Sequence, residues 1–487
     1  MSKNDGTPRT RAQPSLEFLP AALNPWLLGT LKNLLPLWLK LNTNVASIQA
    51  EGIDALADLY HQFQSGKIRL LIAFRHPSLN DSSCLNYVLW HLMPKAARRQ
   101  GITLKPPIHV HYLYDRGITL WAGNWIGWLF PRLGCTPIRR GTWDAEGLKA
   151  ARDLFANGRL PMAVAPEGID NGQNQFVNPL EPGVAIMGFW CVEDLRKAGR
   201  SEEVLIVPIG IQYRYMSPPW AKIETLLDRL DVESGLVGAG ERQKRCKRFH
   251  VDRPDTDRLY RRIVDLADHL LSMLEAFYQR FYHQRFPDTE ALFTGLAPVS
   301  SGADQKGEVS SLKEHSLVER TQRLLHVALN VAEQYFNLEP IGNTLDRCHR
   351  IEQAAWNAIY RQELQQGTFS SVEQALADLV AEEASLRLWH IKIAEKLEAI
   401  TSNYLQENPT AERFADIALL LWYLVTRMRS GDPFKPPQLG PQQAMLAVGE
   451  PLSVSQRWES FKRDRRQGIA DLTEDLQTAL EKILLID

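Results

Sequence analysis

Two residue types able to share a proton stand close together in the stretch Arg75-His76-Pro77-Ser78-Leu79-Asn80-Asp81, with four residues between His76 and Asp81. A carboxylate so placed can accept the ring N–H of the imidazole, fix its tautomer and raise its basicity toward a hydroxyl. A plainer reading of the same residues makes Asn80 or Asp81 a helix cap and His76 a surface turn residue. Further along, Pro166-Glu167-Gly168 sets an acid at the end of an apolar run, followed by Asp170, Asn171 and Gly172, which also suit an ordinary turn. Between these sites, Arg139 and Arg140 are adjacent in a segment flanked by Gly134 and Gly141, an arrangement fit to grip a phosphate bidentately or to form a solvated charge pair. Val207-Pro208-Ile209-Gly210 puts a proline inside an apolar strand, which demands an edge, a bulge or a lining role.

Elements of one kind would position all four groups. From about residue 48 to 285, short β-rich runs alternate with helical stretches, which predicts an α/β fold with a mostly parallel sheet flanked by helices. The expected strands are IRLLIAF (68–74), IHVHYLY (108–114), PMAVAP (161–166) and EVLIVPIGIQY (203–213). Ligands of such sheets collect beyond the carboxyl ends of the strands, where His76, Asp81 and Glu167 fall. The organisation expected is a disordered tail over 1–15, an amphipathic interfacial segment over 16–47 and an α/β domain over 48–297. A polar linker over 298–311 and an all-α accessory domain over 312–487 would come after it.

With 56 Lys and Arg against 57 Asp and Glu, the 487 residues carry no global field for nucleic acid. The basic cluster at 241–262 reads best as a solvated helix face, although anionic headgroups or an acidic carrier protein would also suit it. Five scattered cysteines without a CxxC pair argue against a zinc site and against a secreted disulfide framework, and so for a reducing cytoplasm. No signal peptide and no spanning helix are expected. The segment 20–41, rich in Trp and Leu but broken by Lys32, Pro36 and Lys40, suits either a membrane interface or a helix packed on the core. Trp121, Trp125 and Trp128, at helical spacing, present the same choice.

In their order along the chain, His76-x4-Asp81, Gly134-x3-Ile138-x-Arg140, Pro166-Glu167-Gly168 and Val207-Pro208-Ile209-Gly210 resemble the four blocks of the glycerolipid acyltransferase family. The segment Pro179 to Trp190, with a glycine opening a helix, resembles the stretch after that family's third block. The resemblance covers roughly residues 50 to 285. It implies the acyltransferase fold and direct acyl transfer from acyl-CoA or acyl carrier protein to a glycerolipid hydroxyl, most simply 1-acylglycerol-3-phosphate. In that reading His76 is the general base and Asp81 its orienting partner. Arg139, Arg140, Glu167 and Gly168 bind the acceptor, and Pro166, Asp170 and Val207 to Gly210 line the site. It requires no cofactor and no metal, and implies an enzyme peripheral on the inner face of a membrane. Asp170 stands where the family usually has an arginine, so a non-phosphorylated alcohol is the alternative acceptor. A hydrolase using the same pair on water, and a membrane-associated scaffold whose helical half binds a protein partner, are the competing readings. No GxSxG nucleophile motif supports the former.

Overall fold

The computed structural model describes residues 10–15, 17–118, 123–139, 144–168, 172–237, 255–286, 305–367, 369–398 and 404–484. Their strands are β1 (Gln13–Pro14), β2 (Val45–Glu51), β3 (Ile68–Phe74), β4 (His111–Asp115), β5 (Thr136–Ile138), β6 (Met162–Val164), β7 (Glu203–Tyr215), β8 (Tyr360–Arg361), β9 (Gln442–Val448) and β10 (Leu452–Ser453). The chain forms two compact units, one from Glu17–Pro218 with Gly440–Asp487, the other from Met1–Leu16 with Pro219–Leu439.

The first unit is α/β. Its sheet runs in the order β2-β9-β7-β3-β6-β4-β5, with β10 also pairing to β7. The pairs β2/β9, β3/β7, β3/β6, β4/β6 and β4/β5 are parallel, whereas β9 and β10 run antiparallel to β7. The mainly apolar run of β3 reflects burial on both faces, and its one polar residue, Arg69, is buried and donates to the carbonyls of Phe155 and Gly158. Ile68, Leu70, Ile72 and Phe74 pack in one layer with Leu56, Tyr60, Leu85 and Leu89. Leu71 and Ala73 face the other layer, among Phe155, Val184 and Phe189. In β7 the same alternation sends Val207, Ile209, Ile211 and Tyr213 into the first layer and Val204 and Ile206 into the second.

Pro208 sits in the middle of this sheet without breaking it. Its carbonyl accepts from Gly449 on the side where β10 leaves off, at Ile206, and β9 begins, at Ile209. The N–H that proline lacks would face that same gap, where no ladder partner needs it.

The second unit is helical, built chiefly from Trp220–Glu233, Thr256–Tyr282, Gln305–Phe336, Thr344–Ile359, Ser371–Glu398 and Ala411–Met428. The region beyond residue 312 is mainly helical as expected, but it is not all-α. Gln442–Val448 is a strand, inserted between β2 and β7, and the helix Arg465–Leu484 buries Leu472, Leu476 and Leu480 in the sheet unit's second layer. The helices Trp220–Glu233 and Thr256–Tyr282, expected within the α/β domain, belong to the helical unit instead. Both pack on the helix Ala411–Met428, and among the described residues no strand comes between β7 and β8. The linker expected over 298–311 also differs. Residues 298–304 lie outside the described residues, and 305–311 open the helix Gln305–Phe336. Of the expected tail, residues 13–14 pair with β8 and Ala12 is buried.

No helix among the described residues is long and apolar enough to cross a membrane. Pro25–Asn42 is a helix, started by Asn24, whose side chain accepts from the N–H groups of Trp26 and Leu27. It turns Leu28, Leu31, Leu35 and Leu39 onto the core, while Trp26 (88% exposed), Leu34, Leu37, Trp38 and Leu41 face outward. The core-packing reading therefore holds for one stripe of this helix, and the opposite stripe is apolar and exposed. The helix Asn124–Arg132 exposes Trp125 and Trp128 and ends beside the start of Pro25–Asn42, where Ala22 and Asn24 donate to the carbonyls of Pro131 and Arg132. Trp121 lies outside the described residues.

Candidate active site

The last rung between β3 and β7 runs from the Arg75 N–H to the carbonyl of Ile209. Beyond it the chain turns, and the two side chains at the turn part company. Arg75 points inward and is fully buried. Its guanidinium donates to the carbonyls of Asn174 (2.6 Å), Gln173 (2.7 Å) and Phe176, and its Nε lies 3.6 Å from Glu167 Oε1. His76 points outward, with 25% of its side chain exposed.

His76 Nδ1 is 2.9 Å from Asp81 Oδ2. Because an ionised carboxylate can only accept, the proton of a neutral ring sits on Nδ1, which makes Nε2 the basic nitrogen. Asp81 opens the helix Asp81–Tyr87 but does not act as its cap. Asn80, at the cap position, makes no side-chain cap bond, and Asp81 instead reaches back to accept the Ser78 N–H at 2.8 Å. Asp81 is completely buried, and its other oxygen accepts the hydroxyl of Tyr213 at 2.5 Å. Burial pushes the Asp81 carboxyl up, against the lowering influence of its bonds to His76, Tyr213 and Ser78. Burial likewise drives the Tyr213 phenol well above its ordinary value, so it remains a donor. Its oxygen also lies 3.6 Å from the Cys84 thiol.

Glu167 is buried, and its carboxylate holds the turn together. Oε1 accepts the backbone N–H of His76 (2.8 Å) and Oε2 that of Asn178 (3.0 Å). These bonds brace the His76 turn and the segment after β6. Gly168 comes next with φ +75°, a left-handed conformation that strains any residue with a side chain, and a Cβ there would also require the Glu181 carboxylate to move. Pro166 is buried, and its carbonyl accepts from the Glu181 N–H. Gly183 opens the helix Gly183–Lys197, as the sequence led one to expect.

Arg139 lies just after β5, with its backbone N–H bonded to Asp144 Oδ2 at 2.8 Å. Asp144 caps the helix Ala145–Asn157 and pairs with Arg116 at 2.8 Å, a buried arginine that sequence reasoning missed. Burial lowers the Arg116 pKa while Asp144 opposes the shift. Arg140 and Asp170 lie outside the described residues. Val207 and Ile209 are buried in the core layer beneath the site, and a Cβ on Gly210 would collide with Ile483 of the last helix at 2.3 Å.

The structure thus joins His76 and Asp81 directly, ties Glu167 to them through the His76 backbone, and sets β7 alongside through Ile209 and Tyr213. Tyr213 was not singled out from the sequence. The available signal was strand parity with Val207 and Ile209, which puts the hydroxyl of Tyr213 on their face, four residues beyond Ile209. An apolar groove of about 740 Å³, bordered by Phe176, Leu180, Ile186, Ile469 and Gln477, adjoins the segment that Arg75 and Glu167 hold. Among the described residues no cluster of His, Cys, Asp and Glu suits a metal ion. No family model, no curated protein and no solved structure matches this chain.

Proposed function

We propose that this chain is an O-acyltransferase that moves a fatty acyl group from a thioester, acyl-CoA or acyl carrier protein, to a glycerolipid hydroxyl. The reading rests on the His76–Asp81 pair at the carboxyl end of β3, its carboxylate buried and its imidazole open to solvent. His76 Nε2 takes the proton of the acceptor hydroxyl as its oxygen attacks the thioester carbonyl. The tetrahedral intermediate then collapses, and the departing thiolate recovers the proton from the imidazolium. Asp81 holds the Nδ1 proton and stabilises the transient positive charge. Arg139, with Arg140 beside it in the sequence, supplies positive charge for an acceptor phosphate, and 1-acylglycerol-3-phosphate is the acceptor this favours. The braced turn at Glu167 and Gly168 keeps His76 in place.

The exposed Trp and Leu stripes of Pro25–Asn42 and Asn124–Arg132 support attachment to one leaflet of a bilayer, where acceptor and product reside. The helical unit is proposed to bind a protein partner. Acylation of phosphate-bearing and phosphate-free alcohols with both donors tests the reading. His76→Ala is expected to lower kcat by about two to four orders of magnitude without unfolding the protein. Near-normal turnover in that variant would overturn the mechanism, and transfer to neutral alcohols alone would overturn the phosphorylated acceptor.

A further inference from the structure

Asp81 has two oxygens and three donors, and one donor comes from a strand far away in sequence. Oδ2 accepts from His76 and Ser78, both within the turn, whereas Oδ1 is held by the hydroxyl of Tyr213 on β7. Tyr213 is itself buried, wedged in the core layer it shares with Phe74 and Cys84, and Phe74 meets the His76 ring edge-on with centroids 6.3 Å apart. The hydroxyl has little freedom, and neither has the carboxylate it holds. We infer that Tyr213 is a positioning residue of the His76–Asp81 pair, fixing the rotation of the Asp81 carboxylate so that Oδ2 meets His76 Nδ1.

This rests on the acyltransferase reading for its kinetic consequences, but not for its structural one. A hydroxyl donor favours the form of the pair with more negative charge, which is neutral imidazole beside carboxylate. Removing it makes the pair hold its proton more tightly. Among the described residues, the other titratable groups near the pair include Arg75 just after β3, Glu167 after β6, Cys84 on the helix Asp81–Tyr87 and, through Phe74, Tyr112 on β4. None of them bonds Asp81 Oδ1 in place of Tyr213.

Tyr213→Phe keeps the ring and its packing and deletes only the donor. The expected outcome is a fall in kcat of about tenfold with KM within about twofold, the size of one hydrogen bond to a charged group. The acidic limb of the kcat/KM profile should move to higher pH by about half to one unit. In the His76→Ala background the same change should cost no further activity, because the tyrosine acts only through the histidine. An equal tenfold loss in both backgrounds would mark a merely structural role and overturn the inference. So would an unchanged rate and profile in Tyr213→Phe.

A titration of the His76 ring by NMR, with labelled histidine and no acyl substrate, separates this from failure of the acyltransferase reading. Should the wild-type chain transfer no acyl group, a rise in the His76 midpoint in Tyr213→Phe still supports the positioning role. An unmoved midpoint refutes it. Tyr213→Leu, which removes ring and donor together, should move the midpoint at least as far if folded.

Discussion

Arg75 and Glu167 face each other with no exposed surface on either side chain, and each also serves the backbone of the turn. Such a pair stabilises little relative to an apolar replacement of both, but removing one partner strands the other charge in the core. Glu167→Ala leaves the Arg75 guanidinium without its carboxylate and orphans the N–H groups of His76 and Asn178. A loss of about 3–5 kcal/mol is expected in chemical denaturation. Glu167→Gln, which keeps acceptor capacity, should cost less. Equal midpoints for wild type and Glu167→Ala would show that the pair does not brace the turn. Glu167 illustrates what a motif conceals, because its place beside a strand end gives no sign that its two oxygens accept the N–H groups of His76 and Asn178. His76 and Asp81 were legible because their contact is local, within one turn. Tyr213 was not, since its contact depends on which face of β7 meets which helix.

The helix Pro25–Asn42 carries apolar residues around most of its circumference, and tertiary packing uses one stripe of them. Leu39→Ala should therefore cost about 2–5 kcal/mol, as a buried leucine truncation does. Changing Trp26, Leu34, Leu37 and Trp38 together to Ser should leave stability within about 1 kcal/mol, because these side chains are exposed. The same quadruple variant should float poorly with liposomes that capture the wild type. Unchanged flotation would place the attachment elsewhere, and a large drop in stability would show the outer stripe to be covered. Of the basic cluster at 241–262, residues 241–254 lie outside the described residues, while Arg258 pairs with Glu224 and Arg262 with Asp228 and Asp231.

Each of the two units contains a histidine held neutral by burial. His109, in the sheet unit, accepts the indole N–H of Trp90 at Nδ1 (3.3 Å) and so donates from Nε2 to the carbonyl of Leu133 (3.0 Å). Burial pulls its pKa down to about 4. His390, in the helical unit, lies between the hydroxyls of Tyr278 (2.7 Å) and Tyr282 (3.1 Å), and burial pulls its pKa down to about 3. A folded-state pKa below the unfolded value of about 6.5 means that the unfolded chain binds the proton first. Stability from these groups is therefore present above about pH 6.5 and is lost as pH falls toward the folded pKa. For His109 the loss amounts to about 3 kcal/mol by pH 4. Urea denaturation at pH 7 and pH 4.5 should show it, and His109→Gln should flatten the slope. A pH-independent midpoint for the wild type over that range would contradict the assignment.

The sequence by itself determined the features that periodicity and local spacing carry. β3 and β7 are legible as apolar runs, the helices as repeats of three and four, and the His76–Asp81 pair as a turn between strand and helix, because each depends on neighbours a few residues away. Only the tertiary structure decided the pairings made across long stretches of chain. β9 lies far downstream among helices, and its short run QQAMLAV becomes a strand because it fills the place between β2 and β7. The boundary between units moved for the same reason, as Trp220–Glu233 and Thr256–Tyr282 go with their packing partners rather than with their position in the chain. Tyr213 reaches Asp81 because β3 and β7 are adjacent and in register, a relation that no spacing along the chain encodes.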